Sequence, residues 1–154
     1  MNTLNMSKLL LLVVVLFAAA CSSKMTHEEF VDEIREYIKD NGYDAIENES
    51  GLFYMITDEG SGDGRKPSPT SNVRVMYRGY LLDGTEFDSY NTPEGLMLNM
   101  ASVIEGWQEG LLFFRQGQSG KLFIPPKLGY GANRAGRIPP NSILIFDITL
   151  VRVL

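Results

Sequence analysis

The stretch "VMYRGYLLDGTEFDSY", residues 75–90, predicts a β-strand that ends at a tight turn. Apolar and polar positions alternate through its first half, which places Val75 and Tyr77 on one face, as in a half-buried strand. An Asp-Gly dipeptide then favours a hairpin turn. The segment is rich in aromatic residues and reaches an acid, Asp88, but it contains no Cys or His. It therefore favours a chemistry that does not depend on a thiol or an imidazole.

Most of the chain after residue 72 has strand patterns. Residues 103–114 are the exception, because Ile104, Trp107 and Leu111 recur at helical spacing. The sum predicts an α+β domain with an antiparallel sheet and one short central helix. The predicted strands cover residues 51–56, 73–82, 96–100, 120–125 and 142–153.

Residues 26–42 predict an extra N-terminal helix. Thr26 and Glu29 have the spacing of a capping box, and Gly42 is suited to a left-handed stop after the helix. Two interpretations of its apolar stripe stay open: a helix that binds a partner or a second copy, and a helix that docks on its own domain or spaces that domain from a membrane. The residues predicted to share the apolar stripe are Phe30, Ile34, Tyr37 and Ile38.

Residues 57–72 are rich in Gly, Ser and Pro and predict a flexible connector. The alternate glycines within it resemble a phosphate cradle, but such a cradle needs a helix that begins directly after the glycines. Pro67 and Pro69 follow instead, so no phosphate site is predicted.

Residues 1–20 resemble the signal peptide of a bacterial lipoprotein. The apolar run of residues 9–20 is too short for a membrane span of roughly 20 residues, and Cys21 follows it where a lipoprotein receives its lipid. The alternative is an ordinary signal with an incidental or buried thiol. Cys21 is the only cysteine, so no disulfide can form within the chain. We expect an exported lipoprotein anchored to a membrane through Cys21, on the periplasmic side or at the outer membrane.

The predicted organisation has three parts: the lipoprotein signal peptide over residues 1–20, the anchor Cys with the amphipathic helix and linker over 21–69, and a folded domain over 70–154. With 14 Lys and Arg against 19 Asp and Glu, the net charge of −5 argues against nucleic acid binding. The single His, His27, lies in the predicted helix and is expected at the surface. Neither a metal site nor a cofactor is predicted.

Three motifs occur in a fixed order: "YRGYLLDGTEFDS" (77–89), "VIEGWQEGL" (103–111) and "LGYGANRAGRIPPNSILIFDITLV" (128–151). Together they resemble the FKBP-type peptidyl-prolyl cis/trans isomerases, and the resemblance covers residues 70–154. It implies that this segment is an FKBP-type isomerase domain. The implied fold is a bent antiparallel β-sheet wrapped over one short α-helix, with a pocket between them.

The resemblance implies an aromatic pocket that holds a proline ring. Trp107 would form its floor, and the Ile104 backbone N–H and the Tyr130 hydroxyl would donate to carbonyls of the bound peptide. Asp88 would lie beside the bond that rotates. The implied catalytic residues are Tyr77, Phe87, Asp88, Ile104, Trp107, Tyr130 and Phe146, and the implied substrate-binding residues are Val103 and Ile138.

The implied function is rotation of X–Pro peptide bonds in exported proteins by a membrane-anchored folding catalyst. The alternative is a binding module with little turnover, in which the pocket holds a proline turn of a membrane assembly or the sheet acts as a chaperone surface. Two positions depart from the family's pattern: Glu94 follows Pro93 where an apolar residue is common, and Arg137 stands beside Ile138 where a second aliphatic residue is common. These departures predict weakened affinity for macrolide-type ligands.

Overall fold

The computed structural model describes residues 24–61 and 64–154, so the predicted signal peptide and Cys21 lie outside the described residues. Two α-helices and seven β-strands are present in this part of the chain, together with three short 3-10 turns at Met100–Ser102, Leu111–Phe113 and Pro126–Leu128. The helices and strands are α1 (His27–Asp40), β1 (Ile46–Glu47), β2 (Phe53–Asp58), β3 (Asn72–Tyr80), β4 (Glu86–Tyr90), β5 (Leu96–Asn99), α2 (Glu105–Gly110), β6 (Ser119–Ile124) and β7 (Leu144–Val153).

All seven strands belong to one antiparallel sheet in the order β1-β2-β6-β7-β3-β4, and β5 also pairs with β3. The pairing shifts register at three places, one of them between Gly79 and Tyr80 where β3 meets β4. Such irregularities bend and twist a sheet locally. The predicted α+β class, with a bent sheet over one short helix and an extra N-terminal helix, is confirmed.

The sheet buries apolar side chains on both faces. Side chains alternate between the faces along a strand. In β6, Leu122 and Ile124 therefore join the larger apolar cluster with Trp107, whereas Phe123 joins a second cluster. The larger cluster lies under α2 and contains seven of the nine predicted pocket residues, all except Asp88 and Tyr130. The second cluster lies under α1 on the opposite face.

Helix α1 begins and ends where its local signals predict. The capping box is present, with the Glu29 N–H donating to Thr26 Oγ1 and the Thr26 N–H donating to the Glu29 carboxylate, and Gly42 has a φ of 66° after the last turn. The helix docks on its own sheet, as the second interpretation predicted. No helix among residues 24–61 and 64–154 combines the length and the apolar character needed to cross a membrane.

All four residues of the predicted stripe pack on the sheet, and Val31 joins them. The fully covered residues are Val31, Ile34 and Ile38, whereas Phe30 and Tyr37 flank them and stay partly exposed. The three aliphatic residues recur at spacings of three and four and face the sheet directly. The two aromatic rings lie at the sides of this aliphatic stripe. His27 is also less exposed than predicted: its Nε2 lies 3.0 Å from the Ser50 carbonyl oxygen.

Helix α2 is shorter than predicted, since only residues 105–110 of the predicted 103–114 are α-helical. Its two glycines allow it to lie directly on β6. A Cβ at Gly106 would come within 2.5 Å of Ile124, and one at Gly110 within 2.6 Å of Leu122. Glycine weakens a helix by about 1 kcal/mol, so close packing rather than propensity holds α2 in place.

The described part of residues 57–72 is not the flexible connector that its composition predicted. The Gln116 N–H donates to the Arg65 carbonyl at 2.9 Å, and Arg115 donates to the Gly64 carbonyl at 3.3 Å. These contacts fix the segment against the turn before β6. The predicted domain boundary at residue 70 divides the sheet, because β2 lies before this residue and pairs with β6, which lies after it. The boundary itself stays a prediction.

Candidate active site

A cavity of about 670 Å³ lies between the sheet, α2 and the loop that precedes β7. Strands β3, β4 and β7 supply its sheet wall, and the start of α2 supplies the opposite side. The nine residues predicted for the pocket all line this one cavity: Tyr77, Phe87, Asp88, Val103, Ile104, Trp107, Tyr130, Ile138 and Phe146. Further lining residues are Leu96, Leu98, Ser102, Ala135, Gly136 and Arg137.

The base of the cavity is a cluster of perpendicular aromatic rings. Trp107 packs edge-to-face against Tyr77 and Phe146, with ring centroids 5.2 Å and 5.1 Å away. Trp107 and Phe146 are only 4% and 5% exposed. Perpendicular packing is a favoured arrangement of aromatic rings and holds each ring in one orientation. The cavity therefore presents rigid apolar walls.

Gly79 makes room for one of these walls. Phe87 and Phe146 meet edge-to-face at 5.5 Å, and both rings lie over Gly79 near the end of β3. A Cβ at this position would come within 2.5 Å of the Phe87 ring and 2.8 Å of the Phe146 ring. The sequence prediction missed this residue, although a glycine inside a strand pattern is a signal of close approach.

Tyr77 and Asp88 form the polar contact of the cavity. The Tyr77 hydroxyl donates to Asp88 Oδ2 at 2.6 Å, across the β3–β4 pair. Burial, followed by the hydrogen bond to the Asp88 carboxylate, raises the pKa of Tyr77 well above its usual value. Tyr77 therefore keeps its proton at neutral pH and stays a donor. Asp88 itself is exposed, so the carboxylate lies at the cavity mouth rather than among the apolar side chains.

The start of α2 forms one edge of the mouth. The Ile104 carbonyl accepts from the Trp107 N–H at 2.9 Å and so closes the first turn of the helix. The Val103 carbonyl accepts from the Gln108 side chain at 2.8 Å. Among the described residues, no backbone carbonyl accepts from the Ile104 N–H. The predicted role of this donor is a hydrogen bond to a carbonyl of the bound peptide.

The loop between β6 and β7 forms the other edge. The Gly131 N–H donates to the Pro126 carbonyl at 2.8 Å, and the Asn141 N–H donates to the Gly131 carbonyl at 2.7 Å. These bonds hold the loop beside the cavity, with Tyr130 40% exposed at the rim and Ile138 buried against the core. The site thus combines an apolar base with a few polar groups at its mouth, which is the usual composition of a binding cavity.

No group of acidic, His or Cys side chains suited to a metal ion occurs within residues 24–61 and 64–154. The lining residues include neither a thiol nor an imidazole. The arrangement is suited to enclosing an apolar ring and binding peptide carbonyls with hydrogen-bond donors.

A family model described as FKBP-type peptidyl-prolyl cis-trans isomerase matches residues 63–151. The chain belongs to this family. The match includes all nine predicted pocket residues, and it begins before β3 and ends in β7.

Curated relatives of this FKBP-type chain carry the name FKBP-type peptidyl-prolyl cis-trans isomerase FkpA. The relative from Buchnera aphidicola subsp. Schizaphis graminum is 49% identical over 105 residues, which are 68% of this chain and 41% of the relative. The relative from Escherichia coli K12 is 43% identical over 123 residues, which are 79% of this chain and 44% of the relative. The chain thus spans less than half the length of these relatives.

Two solved structures are similar to this FKBP-type chain over most of its length. A peptidyl-prolyl cis-trans isomerase from Pseudomonas syringae pv. tomato is 29% identical with a TM-score of 0.69, over 86% of this chain and 98% of that one. FkpA from Escherichia coli is 31% identical with a TM-score of 0.68, over 97% of this chain and 83% of that one.

The structure places every predicted pocket residue of this FKBP-type chain in one site, and their catalytic and binding roles remain predictions. The prediction omitted the apolar side chains of β5, Leu96 and Leu98, and Ser102. Because a strand alternates, Leu96 and Leu98 share one face of β5, which was a usable signal once that strand was placed beside β3.

Proposed function

We propose that this protein catalyses cis/trans rotation of X–Pro peptide bonds in polypeptide substrates. The observation that carries the proposal is the single aromatic cavity, which gathers all nine residues that the family resemblance implies. Membership of the FKBP-type family supports the same activity.

The reaction needs no nucleophile. Resonance gives the X–Pro bond partial double-bond character, which imposes a barrier of about 20 kcal/mol and an exchange time of tens to hundreds of seconds. The twisted transition state has lost this resonance and is less polar at its carbonyl than the planar amide. An enzyme that binds the twisted form more tightly than the planar form lowers the barrier. Each ~1.4 kcal/mol of difference raises the rate about tenfold.

The cavity supplies this difference through its dry base. Placing a planar amide over Trp107 and Phe146 costs the amide its hydration, and the cost is smaller for the less polar twisted form. Phe87 closes the side of the cavity toward β4. The rigid, perpendicular rings keep this shape without a cost of ordering them at the moment of rotation.

The polar groups at the mouth hold the peptide on either side of the rotating bond. In this proposal the Ile104 N–H and the Tyr130 hydroxyl each donate to a substrate carbonyl. The Asp88 carboxylate, held by Tyr77, lies beside the rotating bond and takes no proton. The substrate's backbone is thereby fixed on both sides while the bond between them turns.

The test is the rate of isomerisation of a short proline peptide with and without the protein, with Trp107→Ala as the cavity variant and His27→Gln as a variant far from the cavity. We expect catalysis by the wild type and by His27→Gln, and a large loss for folded Trp107→Ala. Peptide binding without any acceleration by the wild type would instead favour the binding module.

We further propose that the protein is exported and held at a membrane by lipid on Cys21, where it acts on exported polypeptides. The support is the sequence alone: the apolar run of residues 9–20 followed by the only cysteine. Multiple acyl chains anchor a protein firmly, whereas one does so only marginally. Cys21→Ser should move the protein to the soluble fraction or leave its precursor uncut. Unchanged membrane fractionation and unchanged mass of the variant would contradict the anchor.

A further inference from the structure

Two arginines, Arg134 and Arg137, lie in the loop segment 134–138 at the rim of the cavity, and only Arg137 lines the cavity. Arg137 lines the cavity directly before Ile138, whereas Arg134 does not line it. Arg134 instead donates weakly to the Gly136 carbonyl, at 3.4 Å. The loop segment thus has one arginine that lines the cavity and a second arginine nearby that does not, which serves as a control.

The turn that carries Arg137 is fixed. The Ala135 N–H donates to the Ile138 carbonyl at 3.1 Å, and the Ile138 N–H donates to the Ala135 carbonyl at 2.9 Å. Gly136 has a φ of 56°, the left-handed conformation that such a two-residue turn needs. Since Ile138 is only 5% exposed and packs in the core, the backbone of Arg137 is held at the cavity mouth.

Arg137 is the only cation that lines the cavity in the described part of the chain, and Asp88 is the only anion. Asp88 already accepts from the Tyr77 hydroxyl. Arg137 has neither an ion pair nor a side-chain hydrogen bond with any residue among 24–61 and 64–154. The chain as a whole is acidic, with a net charge of −5, whereas Arg137 places at the cavity mouth a positive charge that no acid among the described residues pairs with.

We infer that Arg137 makes the site prefer substrates with a carboxylate on a residue adjacent to the proline. The inference rests on the proposed function, because it assumes that the cavity holds the proline ring. A guanidinium at the rim meets a carboxylate on the neighbouring residue without leaving water entirely, so the gain is that of an exposed ion pair. Such pairs change an equilibrium by about two- to fivefold, and salt weakens them.

The test compares N-acetylated, C-amidated peptides that differ only in charge. One series has Glu, Gln or Lys before the proline, and the other has the same residues after it. The measured quantity is the ratio of kcat/KM for the Glu peptide to kcat/KM for its Gln isostere, in wild type, Arg137→Gln, Arg137→Lys and Arg134→Gln. Each ratio is internal to one variant, so differences in the amount of active protein cancel.

We expect a Glu-to-Gln ratio of about two to five in at least one series for the wild type, a ratio near one for Arg137→Gln, and an intermediate ratio for Arg137→Lys. Arg134→Gln should keep the wild-type ratio, because that side chain does not line the cavity. High salt should reduce the wild-type ratio toward one. A wild-type ratio near one in both series, or an equal loss in Arg134→Gln and Arg137→Gln, would overturn the inference.

A binding measurement separates this inference from the proposed function. Trp107 is the only tryptophan and forms the cavity floor, so its fluorescence reports peptide binding without turnover. If the Glu peptide binds more tightly than the Gln peptide in the wild type but not in Arg137→Gln, and no peptide is isomerised, the proposed activity fails and the charge preference stands. If peptides are isomerised with no charge preference in rate or binding, the activity stands and the preference fails.

Discussion

Two tyrosines of β3 point to opposite faces of the sheet, and each donates to an aspartate in a different setting. On the cavity face, Tyr77 donates to Asp88 at 2.6 Å. On the face covered by α1, Tyr80 donates to Asp147 at 3.4 Å, and Lys121 forms an ion pair with the same carboxylate. Within the described residues, Asp88 has no such cation.

On the face covered by α1, the polar side chains bind one another. The Lys121 ammonium also donates to the Tyr80 hydroxyl at 3.0 Å, and the apolar side chains of α1 fill the space beside this group. The cavity face keeps its rings and its carboxylate accessible instead. The comparison teaches that one sheet can use the same pair of residue types for stability on one face and leave it available to a ligand on the other.

Ile34→Ala should have the largest effect on stability and little effect on turnover. Ile34 is fully buried between α1 and the sheet, and truncation of such a residue costs about 2 to 5 kcal/mol in the free energy of unfolding. Denaturant unfolding measures this loss, and kcat/KM measured where the variant is folded should stay close to wild type. Glu36→Ala, on the exposed side of the same helix, is the control. A large fall in kcat/KM of folded Ile34→Ala would mean that the two faces are coupled.

Phe87→Ala should have the converse effect. The half-buried Phe87 ring forms a cavity wall, and its removal should lower kcat/KM by about fivefold to a hundredfold, or about 1 to 3 kcal/mol. Phe113→Ala is the matched control, since Phe113 stacks on Tyr54 at 4.1 Å and does not line the cavity. That variant should lose stability and keep its kcat/KM. Equal losses of kcat/KM in both variants would show that aromatic content, rather than cavity shape, matters.

Asp147→Asn should lower stability modestly. It removes the carboxylate that pairs with Lys121 on the covered face, where the Asp147 side chain is 41% exposed, so we expect a loss of about 0.5 to 1 kcal/mol. Turnover should not change, because Asp147 points away from the cavity. Thermal unfolding and kcat/KM on one proline peptide are the two measurements. A loss of turnover in this variant would end the assignment of the two faces to separate roles.

The smallest expected effect is that of pH on turnover. Burial, and then the hydrogen bond to Asp88, raise the pKa of Tyr77, so its proton stays in place from pH 6 to 9 and kcat/KM should vary less than about twofold, without a bell-shaped profile. Stability behaves differently at alkaline pH. The unfolded chain loses the Tyr77 proton above about pH 10 while the folded chain retains it, so this contribution to stability is present below pH 10 and is lost above it.

Tyr77→Phe sharpens this prediction. The variant lacks the buried hydroxyl, so its free energy of unfolding should fall less steeply above pH 10 than that of the wild type. Tyr37 and Tyr80 remain in both proteins and contribute the same alkaline loss to each. Identical slopes for the two proteins would show that Tyr77 is not held in its protonated form.

Local signals in the sequence predict the ends of α1 well. The capping box of Thr26 and Glu29 and the left-handed Gly42 each act within a few residues of the helix end that they define, so no knowledge of the rest of the fold is needed. The pocket residues are also predicted, through motifs whose order resembles the FKBP-type family rather than through composition.

Contacts between distant segments were the part that the sequence could not supply. The Gly/Ser/Pro composition of residues 57–72 predicts a flexible connector, yet Arg65 and Gly64 accept hydrogen bonds from residues some fifty positions away. Likewise Gly106 weakens α2 as an isolated helix but allows it to touch Ile124. In both cases the partner decides the structure, and the local pattern does not identify the partner.

The most direct test of the central claim is a side-by-side measurement of kcat/KM for Phe87→Ala and Asp88→Asn on one proline peptide from pH 6 to 9. These neighbouring residues of β4 line the same cavity, one as an apolar wall and one as the acid at its mouth. If the dry aromatic cavity drives the rotation, Phe87→Ala loses more kcat/KM than Asp88→Asn at every pH. If Asp88→Asn abolishes turnover while Phe87→Ala stays near wild type, the acid performs the chemistry and the claim is wrong.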